Sequence, residues 1–125
     1  WNWFSDMGNT MDSVILDSKT KQKFELMAKL KSYNKPIWLT EVSRRLGSQG
    51  GKEKEQADFI TTMTNYVKGE SAIKGFFVFN LVEDQVAPPA ERGYSLVTAI
   101  DEGKKQKITG QKPAFSAYKK AIANW

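Results

Sequence analysis

The stretch that decides the fold is Lys35-Pro36-Ile37-Trp38-Leu39-Thr40-Glu41-Val42. It predicts a short strand, because four of the six residues from Ile37 to Val42 are apolar. Pro36 would be the first residue of this strand, a position where the N–H group that proline lacks is least needed for pairing in the sheet. A nearly continuous apolar run is typical of a parallel strand that is covered on both faces. Glu41 lies at the carboxyl end of this strand, where ligands bind in parallel α/β sheets and barrels.

A second apolar run, Ile73-Lys74-Gly75-Phe76-Phe77-Val78-Phe79-Asn80-Leu81-Val82, follows downstream and also predicts a buried strand. The segment between the two runs predicts a helix, whose apolar stripe consists of Phe59, Ile60, Met63 and Val67. A strand, a helix and a second strand at this spacing make a βαβ unit with a right-handed crossover. We therefore expect the two strands to lie parallel.

The rest of the chain is divided by the same signals of periodicity, capping and turns. We predict a single unit over residues 1–125, and its elements are a loop over 1–17, a helix over 18–34, strands over 36–42 and 73–82, a helix over 53–68, a hairpin over 94–108 and a last helix over 113–124.

The composition excludes several kinds of site. The chain has no cysteine and no histidine, so catalytic triads with histidine, thiolate nucleophiles and zinc sites built from these residues are excluded. Proton transfers would rest on Asp, Glu, Lys or Tyr. The net charge is +5, but the lysines are scattered, which indicates a solvated surface and no nucleic-acid partner. No window is apolar enough to predict a membrane span, and we predict no metal and no cofactor.

The two predicted strands need neighbours. Each is apolar on both faces, and their outer edges would otherwise present unpaired backbone groups. Three helices can cover two faces of a sheet but cannot supply further strands. We therefore expect the sheet or barrel to be completed by residues outside this chain, by a second polypeptide or by self-association.

Four segments together resemble a known family. Pro36-Ile37-Trp38-Leu39-Thr40-Glu41-Val42 resembles the seventh-strand motif of the clan-A glycoside hydrolases, which are retaining (β/α)8-barrel enzymes. Gly75-Phe76-Phe77-Val78-Phe79-Asn80-Leu81, followed by Asp84, is similar to their eighth strand. Gly93-Tyr94-Ser95-Leu96-Val97 and Lys112-Pro113-Ala114-Phe115-Ser116-Ala117-Tyr118 are similar to their closing segment. The resemblance implies an α/β fold, namely the C-terminal portion of a (β/α)8 TIM barrel with strands seven and eight and their flanking helices.

The resemblance implies that Glu41 is the catalytic nucleophile. A retaining glycosidase needs a second carboxylate about 5–5.5 Å from the nucleophile to act as acid/base. In the family that residue lies on strand four, usually in an Asn-Glu pair, and this sequence contains no such pair. We therefore expect the acid/base to lie outside this chain and the chain alone to be inactive. The other interpretation of Glu41 is a solvated strand-end carboxylate or an ion pair with Arg44, Arg45 or Lys52.

We predict four substrate-binding residues: Trp1, Trp3, Asn80 and Asp84. The two tryptophans could instead serve in hydrophobic packing. Asp84 could instead be a loop charge at the rim of the barrel. Alternation sets Trp38 on the face opposite Glu41, so we assign Trp38 to the core against the helices. Val78 stands where the family commonly carries a tryptophan that stacks on the sugar.

Two functions follow as hypotheses. The first is part of a retaining glycoside hydrolase acting on β-linked glycosides or polysaccharide, with carbohydrate and the missing N-terminal part of the barrel, or a second chain, as partners. The alternative is a non-catalytic carbohydrate-binding or structural protein derived from a barrel. The compartment stays open, although enzymes that degrade polysaccharides are usually exported.

Overall fold

Three parallel strands form one sheet in the computed structural model, which describes residues 1–4, 26–46, 52–103 and 105–123. Strand β1 spans Asn2–Phe4, β2 spans Ile37–Ser43 and β3 spans Ile73–Val78. The sheet order is β1-β2-β3, and β2 pairs in parallel with both neighbours. The two predicted apolar strands are therefore parallel and adjacent, within a small α/β fold.

Helices and a hairpin follow the strands along the chain. Helix α1 spans Leu26–Ser32, α2 spans Glu53–Gly69, the short α3 spans Pro89–Arg92 and α4 spans Pro113–Ala123. Strands β4, Val97–Glu102, and β5, Lys105–Gln111, pair antiparallel as a hairpin. None of the helices in the described ranges has the length and apolar character needed to span a membrane.

Several segments differ from the sequence prediction. The hairpin predicted over 94–108 begins at Val97 and ends at Gln111. The predicted loop over residues 1–17 is corrected at its start, because residues 2–4 form β1; a three-residue strand is too short to show a period. The second apolar run leaves the sheet after Val78. Its last residues accept backbone hydrogen bonds from Leu96, which precedes β4, and from Val97, the first residue of β4: Leu96 N to Asn80 O at 3.1 Å and Val97 N to Leu81 O at 3.0 Å. Residues 18–25 of the predicted first helix and residue 124 of the last lie outside the described residues.

One face of the sheet forms the core. The apolar stripe of α2, with Ile60 1% and Met63 0% exposed, packs on the side chains of β2, of which Leu39 and Val42 are both 0% exposed. Helix α4 adds Ala114 to the same cluster. Burying each large apolar side chain contributes roughly 1.5–3 kcal/mol, so this contact between helices and sheet is the main source of stability.

The other face of the sheet is open. Trp38 is 50% exposed and Phe77 is 55% exposed, and their rings stack with centroids 6.4 Å apart and planes 23° apart. The Trp38 ring lies over Gly75, where a Cβ would come within 2.8 Å of it. The assignment of Trp38 to the core against the helices is therefore wrong. Alternation gives the helix face to Ile37 and Leu39, so Trp38 takes the opposite face.

A buried lysine anchors the start of α4. Lys112 is 8% exposed, and its Nζ donates a hydrogen bond of 2.7 Å to Ser95 Oγ in the segment before β4. Burial lowers the pKa of Lys112, and the negative charges of Glu83 and Glu53 partly oppose this shift. The contact ties the last helix to the segment that follows β3.

Gly93 provides a test of how the loops at the carboxyl ends of the strands are packed. A Cβ at Gly93 would overlap the backbone carbonyl oxygen of Leu46, whereas a Cβ at Gly69 would meet no atom within 4 Å. We expect Gly93→Ala to lower the free energy of unfolding of the full-length protein by about 1–3 kcal/mol in urea titrations, because backbone must move. The control Gly69→Ala should be neutral or stabilising by up to about 1 kcal/mol. Equal stability of the two variants would contradict this packing.

Candidate active site at the strand ends

Glu41 lies at an irregularity in the pairing of β2 with β3. Leu39 pairs with Phe76 and Val42 pairs with Val78, so two residues of β2, Thr40 and Glu41, oppose the single residue between those partners. This is the arrangement of a β-bulge, which interrupts strict alternation. Leu39 and Val42 consequently both lie in the core although they are three residues apart. Thr40 is exposed and Glu41 is partly exposed, so the bulge keeps both out of the core.

The Glu41 carboxylate makes no hydrogen bond or ion pair with another side chain in the described part of the chain. Arg44, one of its expected partners, pairs instead with Glu55, Nη2 to Oε2 at 2.9 Å. This hydrogen bond is the main reason why the pKa of Glu55 is lowered. Arg45, another expected partner, lies over the Tyr94 ring at 5.7 Å from its centre. The interpretation of Glu41 as an ion pair with these arginines is therefore not supported.

Strand β1 brings a polar side chain beside Glu41. Asn2 is the direct partner of Glu41 in the parallel ladder. The Thr40 hydroxyl donates a hydrogen bond of 2.7 Å to Asn2 Oδ1. Sequence reasoning did not single out Asn2, because it lies in a stretch that was predicted to be a loop. The signal that could have found it is the requirement for a further strand beside β2.

Three aromatic rings gather at the same end of the sheet. Phe4 ends β1, Phe79 follows β3 and Tyr94 precedes β4, and their centroids lie 5.2–5.9 Å apart in edge-to-face contacts. Such geometry is favourable for aromatic pairs. Val78, in contrast, packs against the core. The aromatic group next to the carboxyl end of β3 is therefore Phe79, which sequence reasoning missed by comparing Val78 with the family's tryptophan.

Gln56 of α2 holds two loops together behind this site. Its side chain is 0% exposed, and its Nε2 donates to the backbone carbonyl oxygens of Arg44 at 3.0 Å, Tyr94 at 3.2 Å and Gly93 at 3.3 Å. One amide thus joins the loop after β2 to the segment before β4. The loop that follows Glu41 is fixed from the helix side.

The four predicted substrate-binding residues have different surroundings. Trp1 packs partly against the core, and its backbone nitrogen donates to the Trp38 carbonyl at 2.8 Å. Trp3 is the ladder partner of Val42. Asn80 has a buried Oδ1 with no hydrogen-bond partner among the described residues. Asp84 is exposed, and its Oδ1 accepts a local hydrogen bond from the Val86 nitrogen at 3.0 Å.

These residues fall into two groups. Trp1, Trp3 and Asn80 belong to segments that border β2, the last of them because the Phe79 nitrogen donates to the Val42 carbonyl at 3.0 Å. Asp84 belongs to a turn next to β4. Within the described ranges, no group of three or more carboxylate, histidine or cysteine side chains could hold a metal ion. The arrangement is thus one carboxylate with amide and aromatic neighbours.

Comparison with known proteins gives two findings. The family model described as glycosyl hydrolase catalytic core matches residues 16–99. A crystal structure of a GH128 (subgroup I) endo-β-1,3-glucanase from Amycolatopsis mediterranei, in complex with laminaritriose and laminaribiose, is similar in fold with a TM-score of 0.57 at 21% identity. The match covers 96% of this chain and 43% of that chain, so this chain spans less than half the length of that enzyme. No curated protein matches.

The amide of Gln56 can be tested by an isosteric change. Gln56→Glu would place a carboxylate against three carbonyl oxygens at a fully buried site, so we expect a loss of more than about 2 kcal/mol in free energy of unfolding at neutral pH. The control Gln111→Glu changes an exposed residue of β5 and should stay within about 0.5 kcal/mol of wild type. Chemical denaturation of the full-length protein measures both. Similar values for the two variants would show that Gln56 does not brace these loops.

Proposed function

The chain belongs to the glycosyl hydrolase catalytic core family, and we propose that it forms the C-terminal part of a retaining glycoside hydrolase with a (β/α)8 barrel. In this proposal β1 is the end of strand six, β2 is strand seven and β3 is strand eight. Glu41 is the nucleophile, and the acid/base comes from the N-terminal part of the barrel. The observation that carries the proposal is a carboxylate that forms no ion pair with the described residues and is displaced from the core at the carboxyl end of a parallel strand.

The uncovered face of the sheet supports the barrel. A barrel interior is filled by layers of side chains from alternating strand positions, and Trp38 and Phe77 would belong to such a layer. Half-exposed stacked aromatic rings on a sheet are unfavourable in water, and further strands would bury them. The order β1-β2-β3 leaves β1 and β3 at the edges, where neighbouring strands would pair.

The position of Glu41 supports the nucleophile. In barrel enzymes the reacting groups lie at the carboxyl ends of strands, and a retaining mechanism needs one carboxylate that can approach the anomeric carbon. Glu41 has no competing ion pair in the described part of the chain, so its oxygens are available to a substrate. The bulge and the ladder with β1 hold its backbone in place.

A β-linked glucan is the substrate class that we propose. The relative of similar fold is an endo-β-1,3-glucanase whose crystal structure contains laminaritriose and laminaribiose. Trp1, Trp3, Asn80 and Asp84 remain the proposed substrate-binding residues. Of these residues, Asn80 lies directly after Phe79 and is partly exposed, so its side-chain amide could contact a sugar hydroxyl.

The proposed barrel predicts that substitution of Trp38 strongly destabilises the protein. In the full-length protein we expect Trp38→Ser to lower the free energy of unfolding by at least about 3 kcal/mol, because the ring would be buried in the barrel interior. Tyr33→Ser is the control, since Tyr33 is 63% exposed beyond the end of α1, and it should cost less than about 1 kcal/mol. The barrel would be rejected if Trp38→Ser cost no more than Tyr33→Ser in urea titrations.

The assignment of Glu41 as the nucleophile predicts a large decrease in kcat when this residue is replaced. With laminarin and aryl β-glucosides as substrates, we expect Glu41→Gln in the full-length protein to lower kcat by at least about 10³-fold, because the amide cannot form the glycosyl-enzyme bond. Glu91→Gln, an exposed residue of α3, is the control and should leave kcat unchanged.

Two outcomes separate the alternatives for this protein. Unchanged turnover in Glu41→Gln would exclude Glu41 as the nucleophile. Binding of laminarin without any turnover by the full-length protein, which includes the N-terminal part of the barrel, would favour the non-catalytic carbohydrate-binding protein instead.

A further inference from the structure

A cavity lies at the amino ends of β2 and β3, at the end of the sheet opposite Glu41. Residues 33–36 join α1 to β2, and residues 70–72 join α2 to β3. Between these two turns lies a cavity of about 350 Å³, which is within the range of small-ligand sites. Barrel enzymes carry their reacting groups at the other end of the strands, so this cavity is separate from the proposed active site.

The lining of this cavity is positively charged. Among the described residues it includes Lys31, Lys35 and Lys74 and no carboxylate. Glu70 pairs with Lys31, Oε2 to Nζ at 2.9 Å, and so neutralises one of the three charges. Lys35 forms no ion pair within the described ranges, and the Lys74 ammonium donates to a carbonyl, Ser71 O, at 2.8 Å. Two positive charges therefore remain without a negative partner in the described part of the chain.

The cavity also offers hydrogen-bond donors that are not in use. Asn34 and Ser71 line it, and neither side chain has a hydrogen-bond partner among the residues that the structure describes. Asn34 has a positive φ of 51°, and its backbone nitrogen donates to Lys31 O at 2.9 Å, which fixes its position after α1. An ammonium has three N–H donors, so the contact with Ser71 O leaves two of them free on Lys74. Ammonium, amide and hydroxyl donors around one cavity suit an anion with several acceptor oxygens.

Helix dipoles account for only part of this charge. Lysines in the last turn of a helix offset the negative end of its dipole, and Lys31 in α1 fits that role. The effect falls off beyond the last turn. Lys35 lies three residues after the end of α1, and Lys74 is the second residue of β3. The dipoles therefore do not explain why these two lysines line the same cavity.

We propose that this cavity binds phosphate, as the free ion or as the phosphate group of a small ester, through the ammonium groups of Lys35 and Lys74. A phosphate ester carries about −1.5 to −2 charges at neutral pH, which matches the two lysines that lack a negative partner. Asn34 and Ser71 donate to further phosphate oxygens. The bound group connects the turn before β2 to the turn before β3, and it stabilises the folded protein because it binds only that state.

Titration of the ¹⁵N-labelled full-length protein with inorganic phosphate, at constant ionic strength set by sodium chloride, tests this site. We expect the backbone amide signals of Asn34 and Ser71 to shift and to saturate. Lys35→Gln/Lys74→Gln should weaken this binding at least about tenfold, because two charge-assisted contacts are lost. The control Lys105→Gln/Lys119→Gln removes the same charge from β5 and α4. All four lysines are exposed, so both double variants should keep the fold, and the control should bind phosphate as wild type does.

Unfolding in urea provides a second measurement. Phosphate stabilises many proteins through exclusion from their surface, so the comparison between variants is decisive. Phosphate should raise the midpoint more in wild type and in Lys105→Gln/Lys119→Gln than in Lys35→Gln/Lys74→Gln. Equal rises in the two double variants, or equal shifts of the Asn34 and Ser71 signals, would show non-specific screening and overturn the proposal.

Glucose 6-phosphate and glucose distinguish the two sources of the phosphate group. Tighter binding of glucose 6-phosphate than of inorganic phosphate assigns the cavity to an ester, and the reverse order assigns it to the free ion. Glucose, which lacks the charge, should not shift the Asn34 and Ser71 signals. Signals that do not saturate with either phosphate compound would reject the site. These readouts do not involve Glu41 or turnover, so they are independent of the proposed glycoside hydrolase function.

Discussion

Burial of one sheet face under α2, extended by α4, is the interaction on which the rest of the structure depends. Leu39, Val42, Ile60 and Met63 lose nearly all contact with water there, and this burial fixes which way β2 faces. The side chains of the sheet that are not buried in the core lie on the opposite face, and these include the stacked rings of Trp38 and Phe77. The open face is thus a direct consequence of the core, and it is the face that a barrel would turn inward.

The bulge resolves a conflict between the core and the strand end. Strict alternation after Leu39 would send Glu41 to the helix side and Val42 to the open side. Burying a carboxylate under α2 without a partner would cost several kcal/mol. The extra residue opposite β3 lets Val42 enter the core and keeps Glu41 partly exposed. A local irregularity therefore separates the packing role of the strand from any chemistry at its end.

The features that follow from the pattern of apolar residues over long segments could be predicted from the sequence. Two apolar runs with an amphipathic helix between them predicted parallel neighbours, and the family resemblance agreed with the matched family model at the level of glycosyl hydrolases. Features that depend on a single residue of register could not be predicted. Trp38 was assigned to the wrong face because its side was deduced from Glu41 by alternation, and a bulge has no signature in hydrophobicity. Strand β1 was missed because three residues show no period, so Asn2 could not be matched with Glu41.

The carboxyl end of β2 is stabilised by three different kinds of interaction. The side chain of Gln56 joins the loops from a fully buried position, so it contributes to the stability of the fold. Phe4, Phe79 and Tyr94 join segments that are far apart in the sequence through ring contacts. Thr40 and Asn2 are exposed, so their hydrogen bond contributes geometry more than stability. The buried amide of Gln56 and the exposed hydrogen bond between Thr40 and Asn2 therefore act on different properties of the strand end, because the first contributes to the stability of the fold and the second to local geometry.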